Sequence, residues 1–295
     1  MHEVRETSSA GFDVSVGGGR FSPVMRYLRV FGTFARNSLV RDMTFRSNFI
    51  IDCITTLSWM SMNLAFYVLV FHYTSELGSK TGWGKYQFYV FLATTLLING
   101  AVQGLFMQNC EEFSELVRTG GLDFALLKPI DAQFLISLHK IEWSSLSNLV
   151  FALGLMSYSF YQLGFVPNII QILLYGVFLV CGVAMLYSLM IFLATTSIWL
   201  GRNQSLYDFW FYITNFSRYP MEIYRGSLGT PLQLLFTFII PVLVVVNVPA
   251  RILAKPLESQ SWPLAAFAIV AAAGSMLAAR WVFNRAMLSY RSASS

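Results

Sequence analysis

Residues 169–200 run for 32 positions without a charged side chain. As a helix this stretch is about 48 Å long at roughly 1.5 Å per residue, more than a bilayer core requires. It is one of six apolar segments, the others being 49–71, 86–109, 146–163, 231–250 and 262–279. Lipid offers an open backbone no hydrogen-bond partner, so spanning segments of about 20 apolar residues must close their own bonds as helices. The expected fold is an all-α polytopic membrane protein with six transmembrane helices. The 32-residue run is expected to tilt, to bend near Gly182, or to project beyond the membrane. Composition agrees: of 295 residues 56% are hydrophobic and only 12% charged, about half the roughly 25% of a soluble domain.

Lys and Arg accumulate on the cytoplasmic side of a membrane protein. Residues 1–48 carry seven, the 110–145 loop three, the 201–230 loop three and the C-terminal end three (Arg280, Arg285, Arg291), against four on the other side: Lys80, Lys85, Arg251 and Lys255. Both termini are therefore expected in the cytoplasm. The basic residues stand singly among apolar runs and form no stripe of the kind nucleic acid needs. Cys53, Cys110 and Cys181 make no disulfide framework.

Residues 1–22 lack the apolar core of a signal peptide and read as a flexible polar tail. From Pro23 to about residue 47, Val24, Tyr27, Leu28, Phe31, Phe34, Ala35 and Leu39 share one helical face, with Arg26, Arg29, Arg36 and Arg41 opposite. That is the pattern of a helix lying among lipid headgroups, though a soluble helix packed on a partner protein has it too. A six-helix transmembrane domain then covers 48–284, and 285–295 is a cytoplasmic tail.

Two cytoplasmic segments stand out. The segment 111–140 opens with Glu111, Glu112 and Glu115, followed by Arg118, then Gly120 and Gly121, then LDFALLKP ending at Pro129. The glycines and proline bracket a helix of barely two turns, too short to stand alone, so it is either a plain connector or a docking element. Leu122, Leu126 and Leu127 would be its apolar anchor beside Asp123 and Lys128. Residues 206–219 are aromatic but too short to span, and suit an interfacial helix on the cytoplasmic side that Pro220 ends.

Catalytic patterns are missing: no GxxxxGK[ST], HExxH, GxSxG or CxxC occurs. Asp52 is the one acidic residue within the six segments, close to its interface and within reach of Arg41 or Arg46. The spans otherwise offer neutral groups, among them Asn63, Asn99 and Gln103, as candidates for a pathway. A transporter so built takes its energy from outside the bilayer. Gly100 and Gly104 form a GxxxG that suits either packing within the bundle or a dimer face. Pro241 and Pro249 interrupt the fifth segment, where a gate could form or a static kink stand.

Together these features resemble the type-2 ATP-binding-cassette (ABC-2) permeases. The chain is similar to a bacterial subgroup with a V-R-x-G-x-L-D-x-x-L-x-K-P segment, here VRTGGLDFALLKP from Val117 to Pro129. The subgroup also has an RYP-x-x-IY motif, here Arg218, Tyr219 and Pro220 through Tyr224, and a P-x(7)-P pattern, here Pro241 to Pro249. The resemblance covers about residues 24–290. It implies an exporter permease in the bacterial inner membrane, paired with a second, identical or different permease and riding on two cytosolic ATPase subunits. ATP and Mg would bind those partners, with no cofactor in this chain. The 111–140 segment would seat in the ATPase through Arg118, Gly120, Gly121, Asp123, Leu126, Leu127, Lys128 and Pro129. The rival readings are a non-transporting membrane scaffold or assembly subunit and, third, an integral-membrane enzyme.

Overall fold

The computed structural model describes residues 23–290 apart from 79–80, 201–205, 225, 227–228 and 256–261. The expected N-terminal tail, the last five residues of the C-terminal tail, and Lys80, Arg202, Arg225 and Arg291 lie outside the described residues. Within them the secondary structure is helical, with one isolated bridge between Glu76 and Gly84.

Helix α1 (Pro23–Thr44) leads into α2 (Arg46–Tyr73). Next come α3 (Lys85–Val102), a π-turn at Gln103–Met107, and α4 (Gln108–Thr119). Short helices α5 (Gly121–Leu126) and α6 (Ala132–Leu138) precede α7 (Leu146–Leu163) and α8 (Ile169–Thr195). The chain continues through α9 (Ser197–Leu200), α10 (Leu206–Phe216), α11 (Gly229–Leu234), a π-turn at Leu235–Ile239, α12 (Val242–Ala254) and α13 (Trp262–Ser289). Helix α3 lies at the centre with α7, α8 and α12 around it, and α13 packs on α8. Two-thirds of α3 and nearly all of α12 are buried, which explains why neither shows a polar stripe. Helix α2 is peripheral, burying only Met60, Tyr67 and Phe71.

Small residues decide which helices touch. A Cβ on Gly100 would stand 2.8 Å from Asn148 Cβ, and one on Gly104 3.1 Å from Ser145 Cβ. The GxxxG is thus filled from within the chain, by the start of α7. Gly182 does the same for α8 and α12: its missing Cβ would meet the Val245 carbonyl oxygen at 2.8 Å. Pro249, four residues on from Val245, has no N–H to bond that carbonyl, so α12 presents it to the one position on α8 that leaves room. Helix α8 runs through Gly182 unbroken and stops at Thr195, so the expected bend there is absent.

The bundle has two ends. The proximal end holds α1, α4, α5, α6 and α9; the distal end holds the described parts of the α2–α3 and α7–α8 connections and the C-terminal end of α12. Four helices are long and apolar enough to cross a membrane: Arg46–Tyr73, Lys85–Thr119, Ile169–Trp199 and Trp262–Ser289. Helix α7 has 18 residues and is diluted by Ser147, Asn148, Ser157, Ser159 and Gln162. The fifth expected segment, 231–250, is divided between Gly229–Ile239 and Val242–Ala254, which meet at 87°.

Here the expected layout needs a correction. Residues 206–219 were expected to lie with the 110–145 loop, and 231–250 to cross. Instead α10 climbs from α9, which packs on α4 at the proximal end, and delivers Glu222 to the distal end, where Trp83 Nε1 donates to it at 3.1 Å and Arg251 pairs with it. The hairpin 229–254 therefore leaves from and returns to the distal end, dipping as far as Pro241, which faces Phe192 and Ala279. Length and hydropathy could not reveal this, because a short aromatic helix and a proline-broken one were compatible with either course. Counting Arg218 and Arg225 with the distal end changes the basic-residue balance from 16 against 4 to 14 against 6 and leaves its direction intact.

Candidate functional site

At the proximal end the segment 111–140 folds into a rigid projection. Gly120 ends α4 at φ +75°, a left-handed conformation that favours glycine. Beside it Gly121 leaves room for Leu116, whose Cδ2 would lie 3.0 Å from a Cβ. Leu122 is fully buried and anchors α5 to the bundle, so it is unavailable for docking, contrary to its expected role. Leu126, Lys128 and Pro129 are exposed as expected. The apolar tip itself is Phe124, 74% exposed, and Leu127, 81% exposed, three residues apart on one face. Sequence reading passed over Phe124 because exposure depends on which face Leu122 takes. Asp123 is half-buried, and Arg118 donates to Glu115 at 2.9 Å.

The projection is tied to two long helices. Asp131 accepts the Phe134 N–H at 3.0 Å, capping α6, and also accepts from Arg280 Nη1 of α13 at 3.0 Å. Burial acts to raise the Asp131 carboxyl, but the Arg280 and backbone hydrogen bonds outweigh it and hold the group below the usual carboxylate range. Gln133 donates to Tyr187 of α8 at 2.9 Å and accepts from Arg280 at 3.0 Å. Of the glutamates that open the segment, Glu112 is a fastener: it pairs with Lys140 and lies 3.6 Å from His139 Nε2. Burial lowers the His139 imidazole below its ordinary range against the pull of Glu112. Helix α1 docks just after this segment, with Ser38 Oγ accepting from Ile141 N at 3.0 Å and Ala35 O from Trp143 Nε1 at 3.1 Å. Its Val24, Leu28, Leu39 and Val40 stay exposed.

A polar cleft of about 560 Å³ lies where α1, α2 and α4 meet, and Arg41, Asp42, Asp52, Glu111 and Glu142 line it. Asp52 takes neither Arg41 nor Arg46; Arg41 pairs with Asp42 at 3.3 Å instead. Burial, with Asp52 and Asp42 nearby, pushes the Glu142 carboxyl up against the hydrogen bond donated by Ser144.

Within the bundle a cavity of about 410 Å³ lies between α2, α3, α7 and α10. It collects Asn63, Asn99 and Gln103, which the sequence had offered separately, and adds Arg218. Sequence reading missed Asn148, which lay in an apolar run, and Trp210, which looked like one interfacial aromatic among several. Asn148 is 5% and Trp210 2% exposed, and neither Asn148 Oδ1 nor Trp210 Nε1 has a hydrogen-bond partner. Pro241 and Pro249 are not part of this cavity. Pro241 borders a separate apolar pocket of about 250 Å³ against α8 and α13, and Pro249 is buried inside α12.

The aromatic motif closes the distal end. Tyr219 is exposed and Pro220 buried, Met221 N donates to Asn247 Oδ1 at 2.9 Å, and Tyr224 OH donates to Phe216 O at 3.0 Å. Buried Glu222 has Lys255 Nζ at 4.0 Å besides Arg251, and Lys255 lies over the Trp83 ring, 4.5 Å from its centroid.

Over residues 57–294 the chain matches a family model described as ABC-2 family transporter protein. No curated protein and no solved structure matches it.

Proposed function

The chain belongs to the ABC-2 transporter family, and from that membership we propose that it is the transmembrane permease subunit of an ATP-driven exporter in a bacterial inner membrane. Both termini face the cytoplasm and six segments cross; the fifth, α10 with the residues up to Tyr219, is too short to span lipid alone and crosses packed against α8 and α12. Helix α1 lies in the headgroup region with its exposed apolar residues toward lipid. Two cytosolic ATPase subunits supply the energy, holding ATP and Mg, and a second permease, identical or different, completes the pathway.

The observation that carries this reading is the exposed Phe124–Leu127 tip on α5, next to α6, which Asp131 and Gln133 fasten to Arg280 of α13 and Tyr187 of α8. An apolar tip of that kind fits a groove on a partner, and stiff ties pass its displacement to the long helices. Arg118, Gly120, Gly121, Asp123, Leu126, Lys128 and Pro129 shape or flank the tip. The cavity beside Asn63, Asn99 and Gln103 is this chain's share of the pathway, and the Pro241 break allows the hairpin to move.

Placing a carboxylate at two anchor positions costs about 2 kcal/mol or more, a loss of roughly thirtyfold or greater in affinity. Phe124→Asp with Leu127→Asp is thus expected to abolish copurification of the ATPase encoded with this chain, while insertion and monodispersity are retained. Full copurification by that variant would defeat the coupling assignment. A chain that purifies alone, with no ATPase partner, would instead favour a membrane scaffold.

A further inference from the structure

Among the described residues, the cavity between α2, α3, α7 and α10 is lined by one cation and no carboxylate. Arg218 is half-buried there and has no ion-pair partner among the described residues; its guanidinium lies 5.6 Å from the Phe211 ring centroid. Two more groups await a ligand. Asn148 Oδ1 needs a donor and Trp210 Nε1 an acceptor, and both side chains are more than nine-tenths buried in the cavity wall. A buried polar atom left unpaired costs about 1–3 kcal/mol, so two such atoms beside the half-buried Arg218 around one space call for something that matches them. Three other polar wall groups already have partners: Asn63 Nδ2 donates to Trp59 O at 2.8 Å, Thr95 to Phe91 O and Thr214 to Trp210 O.

Beside the neutral polar groups Thr55, Thr56, Asn99 and Gln103, the wall is apolar or aromatic, with Met60, Leu92 and Leu96 from α2 and α3. Peripheral α2 leaves Trp59, Met62 and Phe66 exposed beside it, on the face that would meet lipid. The volume falls within the roughly 300–1,000 Å³ of ordinary ligand sites.

We propose that this cavity binds the head of an anionic, hydroxyl-bearing amphiphile, its acid group at Arg218 and its hydroxyls between Asn148 Oδ1 and Trp210 Nε1, with the apolar chain leaving past α2. This rests on the permease reading for its purpose, as the cargo site, but the binding claim stands by itself.

The test uses the purified full-length chain in phosphatidylcholine nanodiscs, with binding measured above partition into empty nanodiscs. Three probes share a dodecyl chain: dodecyl glucuronide, dodecyl glucoside and dodecyltrimethylammonium. The glucuronide should bind about tenfold or more tightly than the ammonium, with the glucoside between them. Arg218→Gln should bring glucuronide down to the level of glucoside, and Arg218→Lys should restore part of the gap. Trp210→Phe should weaken both sugars about three- to tenfold and leave the ammonium unchanged. Equal binding of all three probes, or a glucuronide preference that survives Arg218→Gln in a monodisperse protein, would overturn the proposal. If the probes behave as expected but no ATPase associates, the permease reading fails and the cavity assignment stands. If an ATPase associates while the probes bind alike, the reverse holds.

Discussion

Single residues matter here mostly through what they leave out or leave unpaired. Gly182 is the clearest case, because the atom a side chain would strike is the Val245 carbonyl oxygen, a backbone atom that cannot swing aside. Overpacking at such a contact costs about 1–3 kcal/mol. Gly182→Ala is expected to lower the thermal midpoint of the detergent-purified protein by several degrees. Gly154→Ala, where no atom lies within 4 Å of the added Cβ, should leave the midpoint unchanged or raise it slightly. Equal midpoints for the two variants would show that α8 and α12 are not held at this spacing. The same logic separates Leu122 from Leu127. Both are leucines of one short motif, yet one is sealed in the core and the other is 81% exposed.

At the scale of elements, the projection at 111–140 depends on how α6 is tied to α13. The Asp131 carboxyl titrates below its ordinary value because Arg280 and backbone N–H groups favour its charged form. A depressed carboxyl stabilises the folded state above its unfolded pKa, and that contribution is lost as pH falls through the depressed value. Hydrogen exchange in α6, corrected for intrinsic rates, is therefore expected to rise from pH 6 to about pH 3, below the ordinary Asp value of about 3.9. Asp131→Asn should exchange faster already at pH 6 and respond less to acid. An α6 that remains equally protected in the wild type at both pH values would mean that the ion pair does not hold it. The hairpin formed by α11 and α12 is a second element-scale device. Pro241 breaks it at 87° while Pro249 merely leaves one carbonyl for Gly182, so two prolines eight positions apart do different work.

For the whole molecule the open question of direction becomes a labelling experiment. The structure sets Tyr73 and Tyr219 at the distal end and Leu127 at the proximal end, all three exposed. In a background with Cys53, Cys110 and Cys181 replaced, Tyr73→Cys and Tyr219→Cys should react with an impermeant thiol reagent on intact spheroplasts. Leu127→Cys should react only after permeabilisation. A Tyr219→Cys that labels together with Leu127→Cys would return residues 206–219 to the cytoplasmic face and restore 231–250 as a crossing.

Much of this architecture was legible without coordinates, and for a physical reason. Hydropathy, glycine and proline act over a few residues, so the long apolar helices, the break at Gly120 and the interruption at Pro241 are written locally. The membrane setting, the helical class and the short element at 121–129 follow from the sequence by itself. Tertiary structure alone decided the course of 206–254, because a segment of 11 aromatic-rich residues carries no local mark of which end it reaches. Only the distant partners Trp83 and Arg251 settle where Glu222 lies. Packing likewise decided that Leu122 is anchor and Phe124 tip, and brought Asn148 and Trp210, 62 residues apart in sequence, to one cavity. Unsatisfied hydrogen-bonding capacity belongs to an arrangement of groups, and no stretch of chain read in isolation contains it.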